Sequence, residues 1–317
     1  MNERYAPEGT LIHTAQNREY VSSLSGLERA MREGRILEAT ALLCDNEMNL
    51  HVDLYGIRGI VERKEALFCR RGEETKDIAL ITRVGKPICF KVIGFSEQEG
   101  EPVALLSRRA AQAECHHQYL SCLCPGDIIP ATVTHLEGFG AFVDVGCGLS
   151  SLLSVDGISV SRISHPSDRL RVGQQIFTVV RSTDWVRERL FVSMRELLGT
   201  WEENAARFKS GQTVAGIIRS VESYGIFIEL APNLAGLAEI RDAEDRIEIG
   251  GYAAVYIKSI LPDRMKIKLS LIDCYKGDPP RNDLRYFIDV TKVTHIDRWR
   301  YSPECSQKLI ETVFNPT

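Results

Sequence analysis

The chain has 317 residues, a net charge of -4 and a hydrophobic content of 44%. Its length fits two or three domains, and its hydrophobic content excludes a largely disordered chain. No apolar run approaches the ~20 residues of a membrane-spanning helix, and residues 1–10 lack the pattern of an export signal. The nine cysteines show no paired spacing. These features predict a cytoplasmic protein with reduced thiols and no membrane contact.

Residues 1–33 are predicted to form an N-terminal segment that contains one short helix. Leu27, Ala30 and Met31 would form the apolar stripe of this helix, and Ser25 with Glu28 has the spacing of a capping box. The first 24 residues are polar and show no periodic pattern, so no further element is predicted there.

Residues 34–109 are predicted to be the first of three similar units, and the degenerate one. Apolar residues alternate near its start as they do in a strand. Three of its landmarks recur in the following unit at offsets of 91, 88 and 86 positions, namely Val52 with Val143, Gly85 with Gly173, and Ser107 with Ser193. Such near-constant offsets indicate an internal repeat.

Residues 110–124 are predicted to be a helical connector that ends at Pro125 and Gly126. The connector contains five potential metal ligands, which are Cys115, His116, His117, Cys122 and Cys124. Their spacing does not match a zinc module, which uses two well-separated ligand pairs. The cysteines are therefore expected to pack as small hydrophobic residues, and no metal is predicted.

Residues 125–197 are predicted to be the central unit. Its strand-forming residues are interrupted by Gly138 and Gly140, where a tight turn or bulge is needed. Gly140 bends the chain between Phe139 and Phe142, so the two rings are expected to lie side by side on the open face of a small barrel. Exposed rings of this kind stack on the bases of single-stranded nucleic acid. The seven basic and seven acidic side chains over residues 127–195 neither favour nor exclude that partner.

The central unit resembles the S1-type RNA-binding domain, the OB-fold repeat of bacterial ribosomal protein S1 and of several RNA-processing enzymes. The resemblance is carried by Gly126, Val133, residues 139–143, Leu152, residues 172–174, Arg189 and Ser193. It implies a five-stranded barrel that binds RNA through Phe139, Phe142, Ser154, Arg187 and Arg189. Two positions depart from the family pattern: Ser154 replaces a histidine, and Phe191 stands where a basic residue is common.

Residues 198–210 are predicted to form a linker helix. Thr200 and Glu203 have capping-box spacing, and Trp201, Ala205 and Phe208 recur at helical intervals. Trp201 is expected to anchor this helix on a barrel rather than to stack on a base.

Residues 211–273 are predicted to be the third unit. It repeats the central unit at an offset of 85 positions in its first half and 77 positions in its second half. The central unit therefore has eight extra residues, which fall within residues 156–171. Tyr224 and Phe227 restore the aromatic pair, and Arg264, Lys266 and Lys268 are expected to contact phosphates.

The first unit lacks the aromatic pair, because Met48 and His51 occupy the two stacking positions. A unit that keeps its barrel residues but loses the stacking surface is expected to pack on protein instead of RNA. The family resemblance implies the ribosome as that partner. In the third unit Glu239 occupies the position of Ser154, where its carboxylate is expected to repel phosphate.

Residues 274–317 are predicted to be a small α+β extension with a helix over residues 303–313. Arg298, Trp299, Arg300 and Tyr301 could lie along RNA, since arginine and aromatic planes both stack on bases. They could as easily attach the extension to the third barrel. The structural role is favoured, because neighbouring acidic residues dilute the positive charge.

Motifs typical of serine hydrolases, zinc proteases and nucleotide-binding enzymes do not occur in the chain. Ser164, His165 and Asp168 lie close in sequence, but one short loop cannot place a nucleophile, a base and an orienting carboxylate as a catalytic triad requires. The chain is therefore predicted to have no enzymatic activity and no cofactor.

The sequence thus predicts a mainly β fold. It would consist of three tandem five-stranded OB-fold barrels of S1 type, joined by short helices, with the first barrel degenerate and a small α+β extension at the end. The favoured function is non-enzymatic binding of single-stranded RNA, either mRNA or rRNA, in translation. Two alternatives stay open: a protein-interaction scaffold that has lost useful RNA binding, and a non-catalytic subunit of an RNA-processing assembly.

Overall fold

Three closed five-stranded barrels follow one another along the chain. The computed structural model describes residues 3–69, 76–98, 100–184, 189–239, 247–275 and 284–314. In each barrel the strands pair in the order 1-2-3-5-4, and the fourth strand closes on the first. This confirms the predicted mainly β fold with tandem OB-fold barrels. In the part of the chain that is described, no helix is long and apolar enough to span a membrane.

The first barrel consists of β1 (Leu37–Cys44), β2 (Leu50–Leu54), β3 (Ile57–Val61), β4 (Pro87–Gln98) and β5 (Glu101–Ser107). Helices α1 (Ala15–Val21) and α2 (Leu24–Glu33) precede it, and α3 (Asp77–Ile81) lies between β3 and β4. The helix predicted in the N-terminal segment is α2, but α1 was not predicted, and the predicted capping residue of α2 is wrong. The capping side chain belongs to Ser23, which accepts a hydrogen bond from the amide of Gly26.

Helix α4 (Arg108–Gln118) connects the first barrel to the central barrel. At its start the buried Arg108 donates from Nε to Glu8 Oε1 at 2.7 Å, and the amide of Glu8 donates to Oδ2 of Asp144 in the central barrel at 2.7 Å. Burial, together with the nearby carboxylate of Glu8, raises the pKa of Asp144 to about 7. Buried polar contacts therefore join the N-terminal segment, α4 and the central barrel.

The central barrel consists of β6 (Ile128–Glu137), β7 (Gly140–Asp144), β8 (Ser150–Ser154), β9 (Gln175–Asp184) and β10 (Arg189–Ser193), with the short helix α5 (Val155–Ile158) after β8. Alternate residues of β6 and β7, including Val133 and Val143, fill its interior. The long loop over residues 156–171 packs against the third barrel, where the amide of Val160 donates to the side-chain oxygen of Asn233 at 2.9 Å.

The third barrel follows the predicted linker helix, α6 (Trp201–Ala205). Thr200 and Glu203 form the predicted capping box, and Trp201 is buried in the core of this barrel. The strands are β11 (Thr213–Glu222), β12 (Gly225–Ala231), β13 (Leu234–Glu239), β14 (Tyr252–Leu261) and β15 (Lys266–Tyr275).

The tail, residues 284–314, packs along the central and third barrels. Its strands β16 (Arg298–Arg300) and β17 (Glu311–Val313) form an antiparallel pair. The helix predicted over residues 303–313 is wrong, because the chain instead returns to pair with itself, and the amide of Tyr301 donates to the carbonyl of Ile310 at 2.9 Å. Trp299 and Tyr301 are buried in the core of the third barrel, which supports the structural role predicted for this run.

Candidate nucleic-acid interface

The aromatic pair of the central barrel lies on its open face. Phe139 precedes β7 and is 57% exposed, and Phe142 is half-buried on β7. Their ring centroids are 6.0 Å apart with an interplanar angle of 90°, an edge-to-face arrangement. Gly140, between the two aromatic residues, allows β7 to lie close to β8, because a Cβ at this position would lie 2.5 Å from the carbonyl oxygen of Leu153. The two rings thus lie next to each other on one face of the barrel, as the sequence predicts, with one ring edge-on to the other.

The third barrel repeats this geometry. The rings of Tyr224 and Phe227 are 6.1 Å apart at an angle of 89°, and Tyr224 is 65% exposed. Gly225 lies between them, where a Cβ would meet the carbonyl oxygen of Ala238 at 2.7 Å. The two pairs thus have nearly the same separation and angle on barrels of the same topology.

The second residue of each aromatic pair belongs to a row of residues that crosses the sheet on the outer face of the barrel. In the central barrel, strand pairing aligns His135, Phe142, Leu152 and Phe191. In the third barrel, it aligns Ser220, Phe227, Leu237 and Lys268. His135 stacks on Phe142 with centroids 6.4 Å apart and an angle of 28°. We refer to these alignments as the central row and the third row.

His135 and Phe191 were not among the residues predicted from the sequence to contact RNA. His135 precedes the aromatic pair by one strand, and Phe191 lies on the last strand of the barrel, nearly fifty residues further along. The repeat offset could have identified Phe191, since it lies 77 positions before Lys268, which was predicted to contact RNA. What the sequence did not provide is the pairing register that brings both onto one row.

The basic residues predicted at the interface are spread along the last strands of each barrel. Arg189 begins β10 and is exposed, whereas Arg187 lies outside the described residues. Lys266 and Lys268 are exposed on one face of β15, and Arg264 lies in the turn before that strand, 3.5 Å from the carboxylate of Asp263. The structure therefore places Lys268 on the third row and Lys266 two residues before it, whereas Arg189 lies two residues before Phe191 of the central row.

The residues at the position of the family histidine lie at the end of the third strand of each barrel. Ser154 is half-buried and pairs with Gly140 next to the aromatic pair. Glu239, which the sequence predicts to repel phosphate, forms an ion pair with Lys258 Nζ at 3.0 Å. The Lys258 charge offsets that of Glu239, so the predicted repulsion is weaker than the sequence indicates.

The first barrel has no aromatic platform among its described residues. Met48 packs on the barrel core, and His51 forms a hydrogen bond with Asp45 at 2.9 Å. That hydrogen bond is the main reason why the pKa of Asp45 falls to about 2. The row that corresponds to the central one contains Leu43, His51, Ile60 and Leu105, and is mostly aliphatic.

The potential metal ligands of the connector are dispersed by the fold. Cys115 is buried against the central barrel, while Cys122 and Cys124 are exposed. Within the described ranges, no group of three or more His, Cys, Asp or Glu side chains is placed to hold a metal ion. Burial raises the pKa of Cys89, which lies beside Cys147 in the same region.

The loop with Ser164, His165 and Asp168 forms a capped turn. His165 Nδ1 accepts from the amide of Ser167, and Asp168 accepts from the amide of Ser164 at 3.1 Å. Asp168 also forms an ion pair with Arg219 of the third barrel at 3.1 Å. The side chains of His165 and Asp168 thus stabilise the turn, and Asp168 also contacts the third barrel.

Comparison with known proteins finds a domain family that matches the central barrel and relatives that match larger parts of the chain. Residues 124–195 match the S1 RNA binding domain. The chain is 27% identical over 277 residues to small ribosomal subunit protein bS1 of Mycolicibacterium smegmatis, with 83% of this chain and 56% of that protein covered. It is 28% identical over 211 residues to a small ribosomal subunit protein bS1 homolog of Bacillus cereus, with 63% and 55% covered.

The chain is also 31% identical over 201 residues to bS1 of Mycobacterium tuberculosis, with 59% of this chain and 41% of that protein covered. It spans about half the length of the curated relatives it matches. The central barrel thus matches the S1 RNA binding domain, and larger parts of the chain are similar to bS1 proteins.

Proposed function

We propose that this protein is a non-enzymatic RNA-binding protein of the cytoplasm that holds single-stranded RNA, either mRNA or rRNA, on its central and third barrels during translation. The observation that carries the proposal is the duplicated aromatic pair. Phe139 with Phe142 and Tyr224 with Phe227 have almost the same separation and angle, and one ring of each pair is largely exposed. A ring exposed on an OB-fold face can stack on any base, which suits binding without sequence preference.

Basic residues beside the platforms support the same function. Arg189 in the central barrel, and Arg264, Lys266 and Lys268 in the third, are exposed on or just before the last strand of each barrel, which lies one strand away from the strand with the second ring. Their charges would hold the phosphate backbone without reading sequence. Two sites on one chain would bind RNA more tightly than either alone, because the second contact is intramolecular.

The first barrel is proposed to bind a protein partner, with the ribosome as the candidate. Its row is mostly aliphatic, and His51 is engaged with Asp45. An aliphatic row offers no π-face for a base but can pack against apolar side chains. This row is also the observation that favours the second candidate function, a protein-interaction scaffold, which would apply if the aromatic pairs do not bind RNA.

The test is the binding of a fluorescent single-stranded RNA of about 15 nucleotides, long enough to reach two OB-fold sites, measured at several salt concentrations. Phe142→Ala and Phe227→Ala are each expected to weaken binding by about 1–3 kcal/mol. Tyr55→Ala is the control, because Tyr55 is 61% exposed on the first barrel. Equal affinity for the wild type and both platform variants, all folded by circular dichroism, would reject the platforms and favour the scaffold.

Identification of the partners of the wild-type chain distinguishes a role in translation from the remaining alternative, a non-catalytic subunit of an RNA-processing assembly. Co-sedimentation with ribosomal subunits is expected for the proposed function. A chain that leaves the ribosomal fractions and instead co-purifies with a nuclease would support the RNA-processing alternative.

A further inference from the structure

Phe191 and Lys268 occupy the same place in two barrels of the same topology. Phe191 lies on β10 opposite Leu152, and Lys268 lies on β15 opposite Leu237, each in a parallel strand pair. Both leucines in turn face the second aromatic residue of their pair, Phe142 or Phe227. The two positions are therefore equivalent in register and not only in sequence offset.

The side chains at this position have opposite binding chemistry. Phe191 is half-buried at the end of a row that already contains Phe142 and Leu152, so the central row is apolar from β7 to β10. Lys268 is exposed and places an ammonium group at the corresponding end of the third row. An aromatic ring stacks on a base, whereas an ammonium group pairs with a phosphate.

The carboxylate near the third row is paired with a lysine other than Lys268, so Lys268 is available to bind a phosphate. Glu239 lies on β13, two residues beyond Leu237, on the same face of the sheet as Lys268. Its carboxylate is held by Lys258 of β14 at 3.0 Å. Among the described residues, no carboxylate oxygen lies within 4.0 Å of Lys268 Nζ. A phosphate oxygen would therefore not have to displace an ion pair to reach Lys268.

In the central barrel, by contrast, the row is apolar from β7 to β10 and the cations lie outside it. The position of Glu239 is occupied there by the neutral Ser154, and the position of Lys258 by Arg181, which forms an ion pair with Asp156 at 3.0 Å. His135 stacks on Phe142 at the other end of the row. The central row thus presents rings and an aliphatic side chain, and its cations lie outside the row.

We propose that the two barrels divide the recognition of single-stranded RNA: Phe191 adds a further base-stacking position to the central barrel, and Lys268 makes the third barrel a phosphate-binding site. The proposal rests on the function proposed above and extends it to how each barrel holds the strand. The central barrel then binds RNA mainly by stacking and depends weakly on salt. The third barrel depends strongly on salt, because phosphate pairing releases counterions.

The experiment measures RNA binding by one barrel at a time in the full chain. The double variant Tyr224→Ala/Phe227→Ala disables the third aromatic pair and is the background for Phe191→Lys. The double variant Phe139→Ala/Phe142→Ala disables the central pair and is the background for Lys268→Phe. The probe is a fluorescein-labelled single-stranded RNA of about eight nucleotides, and its affinity is measured by anisotropy from about 50 to about 300 mM salt.

Phe191→Lys is expected to steepen the plot of log affinity against log salt by about 0.7, the value for one added phosphate contact on a single strand. At high salt it should weaken binding about five- to 150-fold, the loss of one stacked base. Lys268→Phe is expected to make the slope shallower by about 0.7. Ser121→Lys adds a lysine and Lys308→Phe replaces one with phenylalanine, each at an exposed position outside both rows, and both should leave the slopes unchanged.

The division of roles would be overturned if both double variants bind RNA and neither Phe191→Lys nor Lys268→Phe changes the salt slope. Phe191→Leu provides an independent check if the lysine variant does not fold, because it keeps the apolar contact with Leu152 and removes the ring. A folded Phe191→Leu variant with unchanged affinity would also overturn it. Failure of the proposed function looks different: all four aromatic substitutions together would then leave wild-type binding intact.

Discussion

Arg169 of the central barrel forms a buried ion pair with Glu229 on β12 of the third barrel. The same carboxylate accepts a hydrogen bond from Arg219 Nε at 2.7 Å, and Arg219 in turn reaches Asp168 at 3.1 Å. Arg169 and Asp168 belong to the loop that is eight residues longer than its counterpart in the third unit. This longer loop therefore links the two barrels that carry the aromatic pairs.

Glu229→Gln is expected to lower the free energy of unfolding by about 3–5 kcal/mol. The substitution leaves Arg169 buried without an anionic partner and leaves Arg219 with Asp168 alone, and a buried unpaired charge is costly. Urea unfolding followed by circular dichroism measures the change. Asp156→Asn is the control, since it breaks the exposed pair with Arg181, and exposed pairs contribute about 0–1 kcal/mol. Equal losses in the two variants would contradict the role given to burial.

Gly140→Ala is expected to lower stability by about 1–3 kcal/mol, because its Cβ would lie 2.5 Å from the carbonyl oxygen of Leu153, a backbone atom that cannot move aside. RNA affinity should fall as well, since the strand that carries Phe142 must shift. Gly138→Ala is a matched control two residues earlier, where a Cβ meets nothing within 4 Å. Thermal unfolding of both variants distinguishes them, and a Gly138 variant as unstable as the Gly140 variant would be the contrary result.

The barrels and their aromatic pairs could be predicted from the sequence, because both depend on the pattern of neighbouring residues. Strand alternation fixes which residues face inward, and a glycine between two aromatics fixes where the chain turns. The repeat offsets add long-range information, since they superpose Phe142 on Phe227 and Phe191 on Lys268 without any structure. Trp201 was predicted correctly for the same reason, because its capping box and helical spacing are local signals.

The features that the sequence did not reveal all depend on contacts between distant residues. The tail was predicted to be helical over residues 303–313, but Trp299 and Tyr301 are buried in the third barrel and hold the flanking chain in a hairpin. Tertiary burial of this kind overrides weak local preference. The ion pair of Lys258 with Glu239 could likewise not be predicted from the sequence, because it joins two strands whose relative position is known only from the fold.

Glu38→Gln tests a buried carboxyl group in the first barrel. Burial and the nearby Glu8 raise the pKa of Glu38 to about 8, although the amides of Gly9, Leu11 and Ile12 donate to it at 3.1, 2.9 and 2.9 Å. Between its ordinary pKa and about 8, the folded protein holds a proton that the unfolded chain has lost. The contribution of Glu38 to stability therefore falls as pH rises, by at most about 1.4 kcal/mol per pH unit.

The glutamine amide cannot ionise, so Glu38→Gln should remove this slope while its side-chain oxygen still accepts from the backbone amides. Urea unfolding at about pH 5 and about pH 8 compares the two proteins over the relevant window. The variant should gain stability relative to the wild type at the higher pH. Parallel stability profiles would show that Glu38 is already ionised in the folded protein.

His295→Asn is expected to destabilise the tail at acidic pH and to have little effect at alkaline pH. His295 contacts Asp127 of the central barrel at 2.7 Å and Asp297 of the tail at 3.2 Å, and the hydrogen bond with Asp127 is the main reason why its pKa is raised. The stabilisation is fully present below the ordinary pKa of histidine and is lost as pH rises through the higher pKa of the folded state.

Thermal unfolding of the wild type and of His295→Asn should therefore differ most at about pH 6 and converge towards about pH 9. His13→Asn changes an exposed histidine of the N-terminal segment and serves as the control. The tail also pairs with the central barrel through backbone, where the amide of Ile296 donates to the carbonyl of Gly126 at 2.9 Å. That contact does not titrate, so a difference that persists unchanged at high pH would assign the effect of His295 to packing instead of charge.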